Sequence, residues 1–329
     1  MMNEFADNRG EVLLEVDDLA VAFVTEKGDA LAVDGVSFSL RRGEVLSLVG
    51  ESGCGKSVTA MSILRLVPNP PGRIVCGGII FAGQNLTALS EKALCCIRGN
   101  RIGMVFQEPM TALNPVYRIG DQIAEPLITH WNMGKKEAWA KAAALLDEVG
   151  IPDAEKRLWD FPHQLSGGMR QRAMIAMAVS CEPELVIADE PTTALDVTIQ
   201  SQVLQLLTRL TRDKGKSLLL ITHDLGVVYE TADRVAVMYS GKIVEEAPVR
   251  ILFSNMRHPY TKGLMLSRPR LDPLARHERL PSIRGVVPNP LSRPEGCAFR
   301  DRCSVATDMC LIPPPFRQLS AEHFCRCWL

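Results

Sequence analysis

Short, unbroken apolar runs alternate with stretches of helical periodicity along most of this chain. Leu13 to Val21 mixes apolar and acidic positions and predicts a strand. Glu44 to Val49 predicts a second strand, which runs into a glycine-rich loop and then an apolar helical stretch from Lys56 to Leu66. Arg101 to Phe106 predicts a further strand. From about Pro115 to Val179 the apolar spacing becomes helical, with Ala, Leu, Lys and Glu dominant, and this region reads as an inserted helical subdomain. Strands then return at Leu185–Ala188, Leu218–Ile221 and Val235–Met238. Runs this short and continuous suit strands buried on both faces of a parallel sheet, and helix-like sequence between the first two fits βαβ units. After about Arg250 the composition shifts to Pro, Arg and then Cys. Pro281, Pro288, Pro290, Pro294 and Pro313-Pro314-Pro315 predict loops, in a small extension over 251–329.

The chain has 329 residues, 47% of them hydrophobic and 23% charged, which suits one large globular domain and a smaller one. A formal net charge of −1 argues against nucleic-acid binding. The polar N-terminus predicts no secretory leader, and no apolar run approaches the ~18–20 residues of a membrane-spanning helix. A cytosolic protein is expected, one that reaches any membrane through a partner.

The chemistry begins at Gly50-Glu51-Ser52-Gly53-Cys54-Gly55-Lys56-Ser57, which matches G-x-x-x-x-G-K-[ST] between a predicted strand and a predicted helix. Glycines let the backbone curl so that successive N–H groups face phosphate oxygens. Lys56 would reach the β- and γ-phosphates, Ser57 would ligate Mg²⁺, and the helix adds its positive end. A chance glycine-rich turn would lack that flanking context. Leu185–Ala188 ends in Asp189-Glu190, beyond the carboxyl end of a strand, where ligands bind in such sheets. Asp189 could hold Mg²⁺ and Glu190 could polarise an attacking water. Alone, the pair could equally be a solvated strand end. His223 ends a second such strand and could sense the γ-phosphate.

Leu165-Ser166-Gly167-Gly168-Met169-Arg170-Gln171-Arg172 resembles the LSGGQ signature of ABC-type ATPases, with Met169 in place of the common Gln. Ser166 is a helix N-cap type, and the glycines leave the N–H groups of that helix end open to an anion. Gln107 resembles the family's Q-loop residue, a Mg²⁺ contact. Ala194-Leu195-Asp196 resembles the D-loop, His223 the switch histidine, and Phe23 the aromatic that stacks on adenine. The resemblance spans roughly residues 12–250. It implies a P-loop ABC-type nucleotide-binding domain: an α/β fold with a RecA-like parallel core, an antiparallel β subdomain and the inserted helices at about 115–180. It also implies a dimer, because one subunit's signature completes the other's ATP site. Gln107–Pro115, Pro162–Leu165, His258-Pro259-Tyr260-Thr261 and Arg284–Pro288 resemble the ATPases of dipeptide and oligopeptide importers, whose relatives move nickel complexes, glutathione or opines. The implied partners are a second ABC ATPase subunit, expected to be a paralogue, two transmembrane permeases and an extracytoplasmic solute-binding protein. The implied location is the cytoplasmic face of the inner membrane. A soluble ABC ATPase would typically carry tandem units or a long coiled coil, and a P-loop kinase would lack the signature.

Ten cysteines are unevenly placed, with Cys297, Cys303, Cys310, Cys325 and Cys327 in the last stretch. In a reducing compartment such clustering favours an iron–sulfur centre or zinc over disulfides, with free thiols as the plain alternative. The peptide-importer resemblance implies a [4Fe–4S] cluster on Cys297, Cys303, Cys310 and Cys327. Cys325 stands nearby, in an extended segment would share a face with Cys327, and is the alternative fourth ligand. ATP binding is expected to survive replacement of any of these cysteines by serine, since no tail residue belongs to the phosphate-binding motif.

Overall fold

The computed structural model describes residues 10–192, 197–267 and 282–329. The strands are β1 Val12–Thr25, β2 Gly28–Arg41, β3 Val45–Val49, β4 Gly72–Phe81, β5 Gln84–Asn85, β6 Ile102–Val105, β7 Leu185–Asp189, β8 Ser217–Ile221, β9 Arg234–Tyr239, β10 Lys242–Pro248, β11 Arg317–Ser320 and β12 His323–Cys325. The helices are α1 Lys56–Ile63, α2 Glu91–Cys95, α3 Pro109–Ala112, α4 Ile119–Trp131, α5 Lys135–Glu148, α6 Ala154–Arg157, α7 Gly167–Val179, α8 Val197–Arg212, α9 Leu225–Thr231, α10 Val249–Ser254 and α11 Pro259–Leu266. They fall into two compact units. Of the described residues, the first holds those up to Leu14 and those within Leu40–Val45 and Phe81–Ile221. The second holds Glu15–Ser39, Leu46–Ile80 and Thr222–Leu329.

In the first unit β6, β7 and β8 pair in parallel, with Val105 opposite Ala188 and Asp189 opposite Ile221. All five residues of β7 and of β8 are buried, as expected of strands covered on both faces. Helices fill 119–179, where the sequence predicts them. On α5 the buried positions are Ala138, Ala142, Leu145 and Leu146, the spacing of a single face. Ala138 packs with Ala124, Leu127 and Cys181. The end of α5 is closed by cations: Arg172 donates to the Val149 carbonyl at 2.6 Å and Arg209 to that of Glu148 at 3.3 Å. The buried amide of Gln122 holds the turn before α4. It accepts from the Asn114 N–H at 2.8 Å and donates to the Asn114 and Tyr117 carbonyls at 3.0 Å.

The second unit holds β2, β1 and β4 as neighbours, and β1 and β2 form a hairpin across Glu26 and Lys27. Sequence periodicity finds only part of this sheet. β4 (GRIVCGGIIF) carries three glycines and little alternation, and its strand character comes from its neighbours. The unit's other strands run in the order β11-β12-β10-β9-β3, with β3 parallel to β9.

The tail differs from the loops that its prolines predict. β12 pairs antiparallel with β10, placing Cys325 opposite Glu245 and Phe324 opposite Glu246, and β11 adds beyond it. Strands of three or four residues carry too few positions for a pattern to register. The attachment is chemical as well. Glu245 is fully buried and accepts from the N–H groups of Arg257 at 2.6 Å and His258 at 2.9 Å, and it pairs with the His323 ring at 2.8 Å. Buried carboxylates persist where donors satisfy them in this way. Arg293 reaches Asp34 at 2.8 Å.

His258 is almost fully buried and caps α11, its Nδ1 accepting from the Tyr260 N–H at 3.0 Å. Burial holds its imidazole down to about 4. The unfolded chain protonates it near the ordinary value, so stability present above about pH 6.5 is lost as pH falls towards 4, by up to about 3 kcal/mol. His258→Asn keeps a capping oxygen and removes the titration. Urea midpoints measured from pH 7 to pH 4.5 should therefore fall less steeply in this variant. Parallel slopes would remove His258 as the source.

Candidate functional site

The phosphate-type loop follows the fully buried β3 and leads into α1. Its path depends on two glycines. Gly50 has φ +156°, and a Cβ there would lie 2.2 Å from the Met238 carbonyl and 2.8 Å from the Cys54 sulfur. Gly55 caps α1 in the left-handed region at φ +107°, where a Cβ would lie 2.7 Å from the Ala32 carbonyl. Any side chain at either position would force the loop away from β9. Lys56 is buried, and its ammonium donates to the carbonyls of Gly50 at 2.9 Å and Glu51 at 3.1 Å. Cys54 is buried too, and burial raises its thiol above the ordinary value, keeping it protonated.

Glu51 is held from outside the loop. Its N–H donates to the Tyr260 hydroxyl at 2.8 Å, and Arg302 grips its carboxylate through both terminal nitrogens at 2.6 and 2.9 Å. Arg302 also donates to the Arg284 carbonyl at 2.9 Å and the Tyr239 hydroxyl at 3.4 Å. The bond to Glu51, more than any other contact, raises the guanidinium above its ordinary value. The tail therefore contacts the loop directly, through a residue outside the phosphate-binding motif. His258–Thr261 stands out in the sequence without an assigned role, and no motif marks Arg302.

In the first unit, the register of β6 and β7 carries Gln107 and Glu190 equally far past paired residues, and the Gln107 amide donates to the Glu190 carboxylate at 3.2 Å. Glu190 takes φ +43°, with its N–H on the Ile221 carbonyl at 2.9 Å. A non-glycine residue there stores strain on the order of 1 kcal/mol, of the kind held at functional positions. Asp189, at the end of β7, is buried.

Ser166 caps α7, its hydroxyl accepting from the Met169 N–H at 3.4 Å. Ser166 and Gly167 are exposed, and a Cβ on Gly167 would meet nothing within 4 Å. Arg170 braces the preceding turn through the Pro162 carbonyl at 2.7 Å and the His163 carbonyl at 3.3 Å. The result is an open, glycine-lined helix end of the kind that takes an anion.

His223 is exposed, while Asp224 beside it caps α9 through the N–H groups of Gly226 and Val227. Phe23 is half-buried on β1, close enough to Gly72 that a Cβ there would lie 2.9 Å from its ring. Asp196, with Ala194 and Leu195, lies outside the described residues.

Cys297, Cys303, Cys310 and Cys327 line one small pocket, with His258, Phe299 and Trp328 among its walls. Burial raises the Cys297 and Cys303 thiols above their ordinary values, and the neighbouring cysteines add to the effect. Cys325 is not among the lining residues. It is buried on β12 opposite Glu245, and burial followed by that carboxylate raises its thiol. Among the described residues no three His, Cys, Asp or Glu side chains are grouped to hold a metal ion. No described helix is long and apolar enough to cross a membrane.

Residues 33–193 match the family model described as ABC transporter, and residues 244–310 match the oligopeptide/dipeptide transporter C-terminal region. The oligopeptide transport ATP-binding protein AppD of Bacillus subtilis is 53% identical over 303 residues, covering 92% of each chain. OppD of the same organism, also named an oligopeptide transport ATP-binding protein, is 50% identical over 318 residues, covering 96% of this chain and 88% of its own. Among solved structures, the ATP-binding cassette MJ0796, a dimer in a post-hydrolysis state bound to ADP and Pi, superposes with a TM-score of 0.66 at 27% identity. It covers 72% of this chain and 99% of its own.

Proposed function

The chain belongs to the ATP-binding subunits of ABC transporters, in the oligopeptide/dipeptide branch, and on that premise we propose that it powers import of di- or oligopeptides across the cytoplasmic membrane. The observation that carries this reading is one chain with both a phosphate loop and an open Ser166-Gly167-Gly168 helix end, in the sequence order of a cassette ATPase. Peptide is favoured over nickel or glutathione because the relatives at about half identity are named for peptide transport. The chain is an ATP hydrolase, and such a subunit works with membrane permeases and a solute-binding protein. As a peripheral subunit it would stand at the cytoplasmic face of the inner membrane.

In the proposed mechanism, the N–H groups of Gly50–Ser57 and the Lys56 ammonium receive the phosphates. Lys56 already points into the loop and exchanges carbonyl partners for phosphate oxygens. The Ser57 hydroxyl, Asp189 and Gln107 would hold Mg²⁺, which would offset phosphate charge when bound. Glu190 orients a water and accepts its proton, with Gln107 fixing one carboxylate oxygen. His223 contacts the γ-phosphate and Phe23 stacks on the base. Asp196 contributes at the subunit interface. Ser166, Gly167 and Gly168 bind the nucleotide held by a second ATPase subunit, so two nucleotides are closed between two chains.

The four-cysteine pocket suits an iron–sulfur cluster. Its walls bring together four cysteines, the donor type and number that a [4Fe–4S] core takes. Cys297, Cys303, Cys310 and Cys327 would hold it, and it would staple a tail segment with few strands of its own.

Glu190→Gln should keep nucleotide affinity and lower steady-state phosphate release by about a hundredfold or more. Near-normal release would remove Glu190 from its role. Ser166→Arg should leave nucleotide binding by the isolated chain intact and stop hydrolysis by the assembled pair. Unchanged hydrolysis in the complex would remove that helix end from the site. Anaerobically purified chain should contain about four irons and absorb broadly near roughly 400 nm. Serine at Cys297, Cys303, Cys310 or Cys327 should abolish both, while Cys325→Ser should retain them. Stoichiometric zinc without iron would overturn the cluster.

A further inference from the structure

Glu51 is the sole acidic side chain between Gly50 and Ser57, and it lies in a loop built to receive a polyanion. Left bare, its carboxylate would oppose the attraction of Lys56. It is instead fixed at each of its polar groups. The N–H is on the Tyr260 hydroxyl, the carbonyl receives Lys56, and the carboxylate receives the fork of Arg302. The two N–H···O bonds at 2.6 and 2.9 Å are of the bidentate, charge-assisted kind, the strongest class of side-chain hydrogen bond.

Arg302 itself is well placed to hold the loop. Its side chain is only 5% exposed. It ends a short 3₁₀ turn over Arg300–Arg302 that begins after Phe299, and Phe299 packs against Tyr239 at 5.2 Å and Tyr260 at 5.4 Å between ring centres. Its guanidinium lies 5.7 Å from the centre of the Tyr239 ring. The next residue, Cys303, lines the cysteine pocket. The cation that neutralises the loop is therefore carried by the segment that builds the pocket.

We propose that Arg302 is a positioning residue for ATP binding, cancelling the charge of Glu51 and fixing the start of the phosphate loop from the tail. Nucleotide affinity is then linked to the order of the tail, and by thermodynamic reciprocity nucleotide in turn favours the ordered tail. The inference rests on ATP occupying this loop and holds whatever the cysteine pocket contains.

The test is the dissociation constants of ATP and ADP for the full chain, purified anaerobically, at low and high salt. Arg302→Ala should weaken ATP about tenfold by exposing the Glu51 charge at short range. It should weaken ADP less, because ADP carries less negative charge, and the loss should shrink as salt screens it. Adding Glu51→Gln to Arg302→Ala should restore most of the affinity, since the repelling carboxylate is gone. Arg302→Lys keeps the charge without the fork and should fall between wild type and Arg302→Ala, so it reads the same effect should the alanine variant fold poorly. Unchanged ATP affinity in both Arg302 variants would overturn the proposal. So would equal losses for ATP and ADP that ignore salt and are not relieved by Glu51→Gln, because those mark an arginine that only holds the tail together. A wild-type chain that binds neither nucleotide would instead sink the assignment of the loop, and this inference with it.

Discussion

The arrangement of the second unit depends on the backbone path from Gly50 to Gly55. The loop approaches the Met238 carbonyl so closely at Gly50, and the Ala32 carbonyl at Gly55, that no side chain fits at either position. The consequence is a loop with little freedom before any ligand arrives. The Gly241 N–H is on the Cys54 carbonyl at 2.9 Å, and Lys56 ties the loop to itself. A preformed ring of donors spends little of its binding energy on ordering. Rigidity has a cost as well: a group of the wrong charge built into such a loop cannot swing away. Glu51 is that group, and Arg302 answers it.

The tail is consequently more than an appendage to a finished domain. It adds strands to the free edge of β10, which would otherwise expose unpaired backbone groups. It satisfies the buried Glu245 through His323, while the segment leading into α11 satisfies it through Arg257 and His258. Removing the tail would leave Glu245 and Glu51 each short of a partner, one in the interior and one at the nucleotide loop. Unsatisfied buried acceptors cost more than the bonds to them contribute. Continuity between the matched ABC and peptide-transporter segments thus has a physical basis in the second unit.

What the sequence makes legible follows from how locally each feature is determined. The buried strands β3, β7, β8 and β9 are continuous apolar runs whose composition alone sets them apart. The phosphate loop and the Ser166 cap are local backbone motifs in which residue types and geometry are linked within a few positions. By contrast, β2, β4 and β12 become strands through their neighbours, and Glu245 is a carboxylate that periodicity would place in solvent. The Arg302–Glu51 pair joins residues 251 positions apart, and neither side chain is unusual for its own neighbourhood. Cys325 shows the same limit. Alternation would put it on a face with Cys327, but the strand ends at Cys325, and pairing with β10 turns its side chain towards Glu245.

Glu190, the proposed base, joins backbone geometry to chemistry. Asparagine or glycine would accept a left-handed backbone at lower cost, and the chain has a longer side chain there instead. Neither cheaper residue could take a proton from water. The strained φ lets the chain turn immediately after a fully buried strand while its N–H stays on the Ile221 carbonyl, so the turn forfeits no backbone bond. Gln107 then takes up rotational freedom of the carboxylate from the adjacent parallel strand. A base that accepts a proton must keep its geometry while its charge changes. Fixing it through backbone and a neutral amide achieves that more reliably than an ion pair, because neither contact depends on the carboxylate's charge as strongly as a cation would.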